Sequence, residues 1–352
     1  MSHIVSPEAV RALLSWYKEN KRDLPWRHTK DPYCIWISEI MLQQTRVEAV
    51  KPYYTRFLEA CPDVRALAEI PEEKLMKLWE GLGYYSRARN LQRAAKTVME
   101  QHGGEMPRTY EGLRALSGIG DYTAGAVASI AYGLPVPAVD GNVLRVLSRV
   151  SGSYRDISLQ ETKNELREKL LEVIPSDAAG DFTQALIELG ATVCVPNGKA
   201  RCEACPLSSV CVAKEKGLLD ELPVKGAKKP RRIEERTVLL IRDGDRTALS
   251  KRPDKGLLAG LYELPNTKGH LGEAELTAYI RSLGFEPLRV ERIEDAKHIF
   301  SHVEWHMIAY AVRITPEFDG WHGQSGMLLV PDDEIRERYA IPAAFSAYTK
   351  YL

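Results

Sequence analysis

The stretch LSGIGDYTAGA, residues 116–126, decides how the first part of the chain is read. A Gly-x-Gly turn, Gly118 to Gly120, sits between two apolar patterns of helical period. Glycine lets a backbone bend tightly and approach a partner closely. Backbone N–H groups at a Gly-rich turn that opens a helix form an anion site. The same residues also suit a plain tight turn between helices, so the turn by itself leaves both uses open. Leu116 and Ile119 are the expected anchors of the hairpin in the core.

Outward from this turn, residues 6–217 read mostly as helices. PEAVRALLSWYKEN, IWISEIMLQQTRVEAVKPYYTRFLEA, PEEKLMKLWE, ARNLQRAAKTVMEQHG and ETKNELREKLLEVI repeat apolar residues at three and four, and prolines punctuate them. A second Gly-x-Gly, Gly81 to Gly83, joins another pair. The chain has 352 residues, 44% of them hydrophobic, which is enough for two domains. Its formal charge is zero, so any nucleic-acid contact must come from local clustering of bases. No apolar run approaches the roughly 18 residues of a membrane span. The amphipathic first twenty residues contain Glu8 and Glu19, so a soluble cytoplasmic protein without membrane contact is expected.

Composition changes at ELPVKGAKKPRR. Residues 225–232 carry five bases and no acid, so 219–233 reads as a linker, either a solvated spacer or a segment touching an anion. Beyond it, ERTVLLIRDGDRTALSKRP holds two apolar runs around Asp243-Gly244, a hairpin signal. AELTAYIRSLGF reads as one helix, and KHIFSHVEWHMIAYAVRI as one strand. Residues 234–352 are therefore expected to form a small α+β domain.

Four of the six cysteines fall together, as Cys194-x7-Cys202-x2-Cys205-x5-Cys211. Four thiolates so close suit a tetrahedral zinc or an iron–sulfur cluster, and spacing does not choose between them. Two carboxylates also stand out. Glu39 shares a helical face with Ile35, Trp36 and Leu42. A carboxyl among such neighbours is desolvated and stays protonated, as a general acid must. A solvent-facing or ion-paired glutamate is the plainer reading. Asp140, in AVDGNVLRVLSR, is placed to cap a helix and to stay ionised through backbone N–H bonds. Glycosidic hydrolysis uses one acid on the leaving group and one carboxylate beside the cationic sugar.

The cysteine run, the hairpin, SEIMLQQT, RDLPWR and GLLAGLYELPN together resemble the helix–hairpin–helix DNA glycosylases of the endonuclease III and MutY type. The resemblance implies an all-α helix–hairpin–helix catalytic domain with an iron–sulfur cluster loop over 1–218, followed by an α+β Nudix-like domain over 234–352. It implies a 4Fe–4S cluster on the four cysteines, although the first cysteine loop is one residue longer than the family's. Bifunctional relatives open the second hairpin helix with a lysine that forms a Schiff base. Here that position is Tyr122, and a phenol cannot form an imine. The likeness is therefore to MutY, a monofunctional adenine glycosylase that acts on double-stranded DNA with adenine opposite 8-oxoguanine or guanine.

Carried over, Glu39 and Asp140 are catalytic, with Asn142 and Tyr122 in support. Arg22, Leu24, Trp26, Arg27 and Gln184 line the adenine pocket. Gln44, Thr45, Leu82 and Tyr84 touch the bases left behind, Gly118 and Gly120 the backbone, and Lys199 and Arg201 the phosphates. Phe300, Ser301 and His302 face the oxidised guanine. Core packing is the plainer fate for Trp26, Tyr84 and Phe300. The helix at 272–285 lacks the Nudix catalytic acids, so this domain is expected to bind rather than hydrolyse. A monomer working on DNA in the bacterial nucleoid is expected.

Overall fold

The computed structural model describes residues 4–227, 230–315 and 326–352; Lys228 and Lys229 of the basic run lie outside the described residues. Contacts divide the chain into two units, Met1–Glu69 with Arg89–Ala227, and Ile70–Ala88 with Lys228–Leu352. Among the described residues no helix is long and apolar enough to cross a membrane.

The first unit is helical. Helices Pro7–Asn20, Gly141–Ser151 and Ala179–Thr192 bury Leu13, Tyr17, Val143, Leu147, Phe182 and Leu189 in one core. Ser6 caps the first of them through the Ala9 N–H, and Pro7 occupies its first turn, where a missing N–H costs nothing. Helix Pro32–Leu42 is buried from Ile35 to Met41 on every side, its apolar run broken only by Ser38 and Glu39. The stretch from Ile35 to Ala60, which looks continuous in sequence, is two helices. The first ends at Leu42 and the next begins at Val47. Gln44 takes a left-handed φ of 58° in the break. No proline or glycine marks this turn in the sequence.

The hairpin forms between helices Tyr110–Arg114 and Asp121–Tyr132. Leu116 and Ile119 are buried, as expected of its anchors. Gly118 has φ +77°, and a Cβ there would lie 2.6 Å from Cβ of Asn90, so both conformation and space demand glycine. Asp121 accepts from Tyr110 Oη at 2.9 Å and pairs with Arg114, which ties the two helices together.

The second unit is built on one sheet. Its strands are β1 (Arg232–Asp243), β2 (Arg246–Lys251), β3 (Tyr262–Glu263), β4 (Asn266–Lys268), β5 (Pro287–Ile299), β6 (Val303–Ile314) and β7 (Met327–Pro331). The order is β3-β2-β1-β6-β5, with β4 on β1 and β7 on β2. β1 and β6 run parallel and the other pairs antiparallel. Both faces are covered. Val238 and Leu240 face a core with Trp305 and Phe345, while Leu239 and Ile241 face helix Glu273–Ser282 through Leu276 and Ile280. The Asp243-Gly244 signal is a true hairpin, Asp243 pairing with Arg246 and Gly244 at φ +60°. The stretch 297–314 is not one strand. It breaks at Phe300–His302, where the Phe300 N–H donates to the Val303 carbonyl at 2.9 Å and closes a turn between β5 and β6. Alternation continues through the turn, so the pattern alone does not reveal it.

Residues 70–88 were expected within the first domain and group by contacts with the second unit. Tyr262 Oη donates to Glu73 at 3.1 Å, the Ile341 N–H to Glu80 at 2.8 Å, and Lys77 Nζ to the Tyr339 carbonyl at 3.1 Å.

Candidate active site

A cavity of about 520 Å³ opens in the helical unit. Helix Pro32–Leu42 supplies Glu39, and the turn after it supplies Gln43, Gln44 and Thr45. The first turn of helix Asp121–Tyr132 brings Tyr122, and the start of helix Gly141–Ser151 brings Asp140 and Asn142. Arg22, Leu24, Trp26 and Arg27 close one side, and Gln184 reaches in from helix Ala179–Thr192. Among the described residues no lysine lines the cavity.

Glu39 is 7% exposed. Tyr122 Oη donates to its Oε2 at 2.6 Å. Burial pushes the Glu39 carboxyl up to about 7; the Tyr122 bond opposes this, nearby Asp140 adds to it, and Arg27 opposes it. Tyr122 itself is raised by burial and by the two carboxylates it faces. The phenol therefore stays a donor.

Asp140 does cap its helix, its Oδ1 accepting from the Val143 N–H at 2.8 Å. Burial is the larger effect and raises the Asp140 carboxyl, against the bonds from Val143 and Asn142. Asn142 Nδ2 donates to Asp140 Oδ2 at 2.7 Å, and Asn142 Oδ1 accepts from Arg145 Nη2 at 2.9 Å. Arg145 in turn donates to the carbonyls of Gly190 and Cys194, both at 2.7 Å. Because arginine only donates, it fixes which way the Asn142 amide points.

Glu188 is absent from the sequence-based set. It is fully buried, yet it accepts from Arg22 Nε at 2.8 Å, Arg22 Nη2 at 2.7 Å, the Arg22 N–H at 2.9 Å and Arg27 Nη2 at 2.7 Å. Burial pushes its pKa up, but these bonds outweigh it and hold the carboxyl down at about 2. Its ionised form thus sets the position of both arginines. The sequence signal was its place four residues after Gln184 on one helical face. Trp26 packs edge-on against Tyr54, with centroids 5.5 Å apart, while also facing the cavity, so its packing and lining roles coexist.

The other expected contacts lie elsewhere. Gly120 precedes helix Asp121–Tyr132 with no side-chain cap, so first-turn N–H groups stay open beside Gly118. Leu82 is 6% exposed and Tyr84 is 48% exposed, both in the second unit. Ser301 and His302 are exposed at the β5–β6 turn, with Ser301 Oγ 3.2 Å from His302 Nδ1. Phe300 packs edge-on to Trp305 at 4.9 Å.

Cys194, Cys202, Cys205 and Cys211 all line one small cavity in the helical unit. Among the described residues no three potential ligands gather within reach of a single ion. Arg149 Nη1 lies 3.3 Å from Cys194 Sγ, and Arg201 and Lys214 line the same cavity. An all-thiol donor set with cations beside it fits an anionic metal–sulfur centre. Lys199 and Arg201 are exposed on the loop between the first two cysteines.

Two families match the chain: "HhH-GPD superfamily base excision DNA repair protein" over residues 37–175, and "NUDIX domain" over 237–351. The mouse adenine DNA glycosylase is 37% identical over 372 residues, spanning 89% of this chain and 72% of that protein. The adenine DNA glycosylase of Buchnera aphidicola subsp. Baizongia pistaciae is 33% identical, spanning 83% and 82%. The chain belongs to the adenine DNA glycosylase family. Solved structures agree with the helical unit of such a family member. A thermostable thymine-DNA glycosylase superposes with TM-score 0.54 at 33% identity, over 59% of this chain and 95% of that one. A non-covalent endonuclease III–DNA complex superposes with TM-score 0.52 at 25% identity, over 61% and 99%.

Proposed function

We propose that this chain hydrolyses the N-glycosidic bond of adenine mispaired with 8-oxoguanine or guanine, and leaves the DNA strand uncut. The observation that carries this reading is Tyr122 Oη bonded to Glu39 where a Schiff-base lysine would stand. Glu39, with a pKa of about 7, holds a proton it can give to adenine N7. Protonation weakens the bond to C1′, and a cationic sugar develops. Asp140, held in place through Asn142 and Arg145, is the carboxylate beside that cation. Water then adds to C1′ and gives up a proton, which the Glu39 carboxylate takes back, and hydrolysis is complete. Among the described residues no lysine lines this cavity, which supports hydrolysis without a lyase step. The base must leave the duplex to reach this site.

A duplex with adenine opposite 8-oxoguanine should be cut only when alkali follows incubation. Strand cleavage before alkali, or borohydride trapping of the protein on DNA, would overturn the monofunctional reading. In the second unit, exposed Ser301 accepts from the N7–H that oxidation gives guanine. One neutral hydrogen bond contributes roughly 0.5–1.5 kcal/mol. Ser301→Ala should therefore lower the affinity ratio of A:8-oxoguanine over A:G by about tenfold or less, measured at one salt concentration. An unchanged ratio would remove Ser301 from the recognition.

The four cysteines fit a 4Fe–4S cluster, which would bind the loop carrying Lys199 and Arg201 into one shape. The purified protein should be yellow-brown with about four irons. Stoichiometric zinc in protein made with ample iron would count against it. Tyr122→Phe removes a bond that lowers the Glu39 pKa. The pH at which excision falls off on the alkaline side should therefore rise. A profile that stays put or moves down would show that this bond does not tune the acid.

A further inference from the structure

A second cavity, of about 450 Å³, shares Tyr122, Asp140 and Gly141 with the catalytic one. Its size lies within the range of small-ligand pockets, about 300–1,000 Å³. Three cations line it: Lys163, Arg167 and Lys225. Lys163 and Lys225 have no ion pair with a described residue. The Arg167 guanidinium stacks on Tyr110, 4.6 Å from the ring centroid, and its buried Nε has no hydrogen-bond partner. The acids on the same lining are already engaged. Asp121 is paired with Arg114 and Tyr110, and Asp140 accepts from Val143 and Asn142. Asp140 keeps its charge because its donors are neutral, but with Asp121 paired to Arg114 the three cations outnumber it, and the net positive charge of the concavity favours an anion there.

We propose that this cleft holds a backbone phosphate of the lesion strand, beside the flipped nucleotide. The proposal rests on the glycosylase reading above. Tyr122 and Asp140 line both cavities, so an anion in the second lies next to the sugar of a nucleotide whose base enters the first. A phosphodiester is the anion every such nucleotide carries. The three cations draw it to the shared wall and offset its repulsion with Asp140. The contact fixes the sugar from the backbone side while Glu39 meets the base.

The test uses the full chain with Lys163→Gln and Lys225→Gln together, leaving Arg167 on Tyr110. Affinity for a duplex with adenine opposite 8-oxoguanine is measured over a salt series. The slope of log K against log salt should become shallower by about 0.9 for each phosphate that the double variant no longer neutralises. Fully paired DNA should lose affinity by a similar factor. A set of duplexes, each with one methylphosphonate in the lesion strand near the adenine, locates the phosphate. One position should weaken the parent and leave the double variant unaffected. An unchanged slope, or equal penalties in parent and variant at every position, would overturn the cleft. A parent that fails to excise adenine would instead overturn the function and leave the phosphate measurement standing on its own.

Discussion

Glu39→Gln should bind mispaired DNA almost as the parent does and excise adenine ~10²–10⁴-fold more slowly, the usual loss for one positioned acid. Glutamine keeps the shape and an oxygen that can accept from Tyr122, but it has no proton to give. A second readout separates lost chemistry from lost fold. The Glu39 carboxyl is raised from 4.5 to about 7 in the folded chain. Between those values the folded state holds a proton that the unfolded state has released. Stability therefore falls as pH rises through that window, and the loss is complete above it. Glutamine carries no charge to bury. The variant should match the parent's melting temperature near about pH 4 and exceed it near about pH 8. Single-turnover excision at the parental rate would remove Glu39 from the reaction. A variant no more stable than the parent at the higher pH would mean that Glu39 is not held in a desolvated site.

Both carboxylates were legible in the sequence for different physical reasons. Glu39 interrupts an apolar helix, which suits a buried acid but also an ion-paired one, and the resemblance decided between them. Asp140 stands before an apolar helical pattern, which marks a cap whatever else it does. What burial did to Asp140 was not legible, because the cap is local and desolvation comes from the whole fold around it. The break at Gln43–Arg46 was equally hidden. Its residues are ordinary helix formers, and the left-handed Gln44 shows only in three dimensions. Glu188 and Arg145 escaped notice for a related reason. Their partners lie 166 and 49 residues away in sequence, at Arg22 and Cys194. The Gly118–Gly120 turn was the opposite case. Its glycine requirement follows from backbone geometry at one position, and local sequence carries that kind of information well.

Asp140→Asn should also abolish most turnover, by ~10²–10³-fold, the scale for removing one group that stabilises charge in the transition state. The amide keeps the helix cap, since its oxygen can still accept from the Val143 N–H. It cannot keep the second bond. Arg145 donates to Asn142 Oδ1, so Asn142 Nδ2 must point at residue 140 and needs an acceptor there. An asparagine turned to cap the helix presents its own NH2 to that NH2. One donor is left without a partner, at about 1–3 kcal/mol. The variant should thus fold with a modestly lower melting temperature. Its residual excision should carry a mark of electrostatics. The Asp140 charge helps to raise the Glu39 pKa, so its removal should move the alkaline limb of the pH profile downward, opposite to Tyr122→Phe. If Asp140→Asn excises at the parental rate while Asp140→Ala unfolds, the aspartate only caps its helix. If the rate falls and the limb stays in place, the two carboxylates act without sensing one another.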